Sequence, residues 1–72
     1  MGWFVEYHDF HAGGRECQSP HSATRELAVD QACDLMRQHH TVNRVIGPLG
    51  EVVERPVIER RYQDLLAAGR LI

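Results

Sequence analysis

The chain contains no lysine: its eight basic residues are all arginine and stand against ten acids, for a net charge of −2. That balance excludes a protein that is basic overall and holds nucleic acid through bulk charge, so only a local patch could do so. Cysteine is scarce. Cys17 and Cys33 are too few for a disulfide framework, and two free thiols are expected. No apolar run approaches the roughly 20 residues that span a bilayer. The N-terminus has no basic stretch followed by an apolar core, and Glu6, His8 and Asp9 arrive early. Together these absences predict a soluble cytoplasmic protein with no membrane partner. The all-arginine basic set, beside a good supply of alanine and glycine, is the codon signature of a high-GC bacterial genome.

Seventy-two residues make one domain, 1–72, with a core small enough that stability is marginal and dimerisation is an effective remedy. Residues 22–40 are its only long, cleanly amphipathic segment. At 100° per residue, Ala28, Val29, Ala32, Cys33, Leu35 and Met36 share one face, while Glu26, Asp30, Asp34, Arg37 and Gln38 fill the other. That is a helix with one side to bury, opened by Ser22 or Thr24 as the cap.

Before it, residues 2–11 are rich in aromatics and β-formers, with Trp3, Val5 and Tyr7 on one side at period two. Gly13 and Gly14 supply the turn from which 15–18 return as a short antiparallel partner. After the helix, 42–46 and 51–54 read as a second hairpin about the turn 47–50. Pro56 suits a first helical turn, Ile58, Tyr62, Leu65 and Leu66 recur at helical spacing, and Gly69 closes the segment. The predicted class is α+β: a small antiparallel sheet in β-β-α-β-β-α order with two helices packed against it.

The chain resembles a family of small bacterial proteins of unknown function. The matching features are an aromatic-led strand (Trp3, Val5), a threonine-led helix with alanines four apart (Thr24, Ala28, Ala32), and a hairpin with an apolar pair and a glycine (Val45, Ile46, Gly50). The resemblance covers roughly the first 53 residues. It implies a fold and no activity.

No motif names a reaction. Five histidines invite a metal, but zinc requires convergent ligands with tight spacings such as C-x₂-C, and none is present. His8 and His11 fall on opposite sides of a strand, and His39 and His40 diverge on a helix. Cys17 with His21 lacks a recognisable orienting group and oxyanion hole. Asp30 and Asp34 read as a solvated helix face. No metal, cofactor or catalytic residue is therefore predicted, and the chain is expected not to be an enzyme.

Two surfaces remain. Arg44, Arg55, Arg60 and Arg61 form the candidate phosphate or nucleic-acid patch, although interleaved acids, including Asp64 four residues after Arg60, oppose it. Leu27, Leu71 and Ile72 are the candidate self-association residues, beside an edge strand at 15–18. The expected function is a protein-interaction or self-association module, with a homodimer given equal standing with a monomer. A nucleic-acid-binding module is the alternative.

Overall fold

A computed structural model describes residues 2–9 and 13–69. Its elements are β1 (Phe4–Asp9), β2 (Arg15–Gln18), α1 (Arg25–Arg37), β3 (Thr41–Ile46), β4 (Val52–Glu54) and α2 (Arg55–Ala67). The order is the β-β-α-β-β-α predicted from the sequence. All strand pairs are antiparallel, in a single sheet ordered β2-β1-β3-β4. Each hairpin lies at one side, and the long-range pairing of β1 with β3 joins them.

Both helices cover the same face of the sheet, α1 over β1 and β3 and α2 over β3 and β4, and they pack on each other. The sheet contributes Val5, Val42, Val45 and Val53 to the core. From α1 come Ala28, Val29, Ala32, Cys33 and Leu35, and from α2 come Ile58 and Leu65. Trp3, Tyr7, Met36 and Tyr62 close its margins.

Thr24, and not Ser22, caps α1: the Leu27 N–H donates to Thr24 Oγ1 at 3.2 Å. Ser22 is used differently, exchanging backbone hydrogen bonds with Trp3. The helix is shorter than the amphipathic segment because His39, at φ 70°, takes the left-handed conformation that turns the chain into β3. In α2 the expected stripe narrows. Leu66 is 40% exposed, since it lies 100° beyond Leu65, which takes the core position.

Val42 and Val45 are three residues apart and would face opposite sides of a regular strand. Both are buried. A β-bulge makes this possible: Arg44 pairs with Glu6, the next pair is Val42 with Tyr7, and Asn43 is the extra residue.

Among the described residues no helix is long and apolar enough to cross a membrane. Leu71 and Ile72, two of the three expected self-association residues, lie outside the described residues, as does His11.

Candidate functional site

Strand alternation that sends Val5 and Tyr7 toward the helices sends Phe4, Glu6 and His8 to the other face, which no element among the described residues covers. Register then sorts this face into rows. Phe4 lies beside Ile46, and Ile46 beside Val52, giving an apolar row across β1, β3 and β4. The His21 ring stacks on Phe4 with centroids 5.1 Å apart, and Leu49 on the adjoining turn is 86% exposed.

The second row is ionic. Gln18, Glu6, Arg44 and Glu54 follow one another across all four strands. Arg44 Nε lies 3.0 Å from Glu6 Oε1. Glu54, although it occupies the cap position of α2, makes no capping hydrogen bond and, among the described residues, no ion pair. The third row holds Glu16, His8 and Thr41, with Asn43 Nδ2 at 3.1 Å from His8 Nδ1. An amide nitrogen can only donate, so His8 accepts there through Nδ1.

The four candidate arginines are not gathered on one surface. Arg44 belongs to the uncovered sheet face, while Arg61 crosses to α1, with Nε 3.1 Å from Asp30 Oδ1. Arg55 pairs with Glu59 at 2.7 Å. Arg60 forms no ion pair among the described residues, so the expected partnership with Asp64 is not made. Arg60, Asp64 and Arg25 border a shallow hollow of about 390 Å³ between the helices, floored by Val29 and Val57. Leu27 is 55% exposed on α1. Asp30 and Asp34 hold partners instead of standing as bare solvated acids, Asp34 binding both Arg37 and Gln38 at 2.8 Å.

Cys17 and His21 are separated by the sheet. Cys17 aligns with Tyr7 on the helix-covered side, whereas His21 stacks on Phe4 on the other. Cys33 is buried with Sγ 3.8 Å from the Ile58 carbonyl oxygen. Burial pushes its thiol up to about 11, Asp30 adds to the rise, and Arg61 opposes it.

One polar cluster had no signal in the sequence. His40 Nδ1 lies 3.5 Å from Asp9 Oδ1, and its ring sits 5.4 Å from that of Tyr7. The phenol of Tyr7 is pushed up by burial first, then by Cys17 and Asp9. Among the described residues no three His, Cys, Asp or Glu side chains converge to hold a metal. Comparisons with protein-family models, curated proteins and solved structures give no match.

Proposed function

We propose that this chain is a non-enzymatic protein-binding module of the bacterial cytoplasm and that the uncovered face of its sheet is the surface it presents. The observation that supports this is the in-register row of Phe4, Ile46 and Val52, on a face the two helices leave bare. An aromatic and two aliphatic side chains set side by side, edged by ion-paired and hydrogen-bonded residues, match the apolar centre and polar rim of protein interfaces. A second copy and a different protein are both partners of this kind.

The test places a photo-crosslinking residue at Val52 or, as a control on α2, at Gln63 in the full chain produced in cells. Adducts formed from position 52, abolished by Ile46→Arg in a variant that retains its circular dichroism, are the expected result. Adducts of equal yield from both positions, or from neither, would overturn the proposal.

A further inference from the structure

The uncovered face carries more acid than base. Among the described residues its acids are Glu6, Glu16 and Glu54, and its one arginine, Arg44, is already bound to Glu6. Glu16 and Glu54 have no ion-pair partner among the described residues. Glu54 is the more telling of the two, because it stands at a helix start and still leaves the backbone N–H groups of that helix alone.

Resting on the proposal that this face is the binding surface, we infer that its occupant is a segment of another protein whose aliphatic side chains are flanked by lysine or arginine. The aliphatic part would cover Phe4, Ile46 and Val52. The cations would meet Glu54 and Glu6 in the next row, about two residues along the strands, or roughly 7 Å away.

A second copy fits less well, for reasons of symmetry. Two such faces stacked about an axis along β3, the placement that lays all three residues of the apolar rows over one another, also set Arg44 over its own image and Glu6 over the image of Glu54. Like charges juxtaposed in this way oppose association. An axis across the strands avoids that clash by covering only the apolar row. Three side chains fall short of the roughly 800 Å² per partner of a stable interface.

The labelled full chain is titrated with two peptides of equal length, one alternating leucine with lysine and one alternating leucine with glutamate, while backbone amide shifts are followed. The expected result is saturable shifts at Phe4, Glu6, Arg44, Ile46, Val52 and Glu54 from the lysine peptide only. Glu54→Lys should weaken that binding by about tenfold, as loss of a complementary charge does. If the glutamate peptide binds the same residues equally well, the basic occupant is wrong while the face survives. The basic occupant is also wrong, and the face again survives, if the chain alone doubles its mass with concentration and shifts those residues. Shifts from both peptides confined to α1 and α2 would sink the face and its occupant together.

Discussion

Arg44 on β3 and Glu6 on β1 are cross-strand partners with Nε and Oε1 3.0 Å apart, so this arginine of the uncovered sheet face is held by an acid of that same face. The pair is half exposed on the arginine side and contributes on the order of 0.2–1 kcal/mol to stability. Its larger effect is on what the face can attract. With Arg55 and Arg61 also paired to acids, a mixed-sequence duplex or single strand added at low salt should leave the amide signals of Arg44, Arg55, Arg60 and Arg61 in place. Shifts at those residues that vanish as salt rises would restore the nucleic-acid alternative.

Cys33 predicts an alkaline loss of stability. Its thiol is raised from an ordinary value of 9.0 to about 11 in the folded chain, so above pH 9 the unfolded chain releases this proton first. Stability from this group is complete below pH 9 and is lost as pH rises toward 11, with a slope of at most about 1.4 kcal/mol per pH unit. The raised phenol of Tyr7 acts in the same direction. Urea midpoints measured from pH 8 to 11 should fall, and Cys33→Ala should flatten the fall; an unchanged slope in that variant would assign the effect elsewhere. In the native state a thiol reagent should titrate Cys17 quickly and Cys33 only on unfolding.

Gly47 is fixed by close approach. A Cβ there would come within 2.8 Å of the Trp3 ring and 2.7 Å of the Glu51 carboxylate. Gly47→Ala should cost about 1–3 kcal/mol, the range for overpacking, and should displace the indole. Urea denaturation and tryptophan emission check both expectations; a wild-type midpoint with unshifted emission would show that the turn absorbs the methyl group freely.

The cap of α1 offers a paired comparison. Thr24→Ala removes the side-chain acceptor used by Leu27 N–H and should cost about 1 kcal/mol. Ser22→Ala, at a residue that bonds Trp3 only through its backbone, should stay within about 0.5 kcal/mol. Equal losses in thermal or urea unfolding would refute Thr24 as the cap.

What the sequence by itself determined is whatever a local period or turn can encode. The apolar face of α1, the inward side of β1, both hairpins and the element order follow from spacings of 3.6 and 2.0 and from glycines at reversals. Local chemistry narrows the cap only to Ser22 or Thr24, because both hydroxyls lie near the helix start and the choice depends on where the chain bends. Tertiary structure alone decided that β1 lies beside β3, that Asn43 bulges so that Val42 and Val45 can both be buried, and that Phe4, Ile46 and Val52 align on a bare face. The same pairing brings His40 to Asp9 from 31 positions away. Strand order and register are properties of contacts between distant segments. No window of neighbouring residues contains them, and so the surface proposed to carry function was visible only once β1 and β3 were joined.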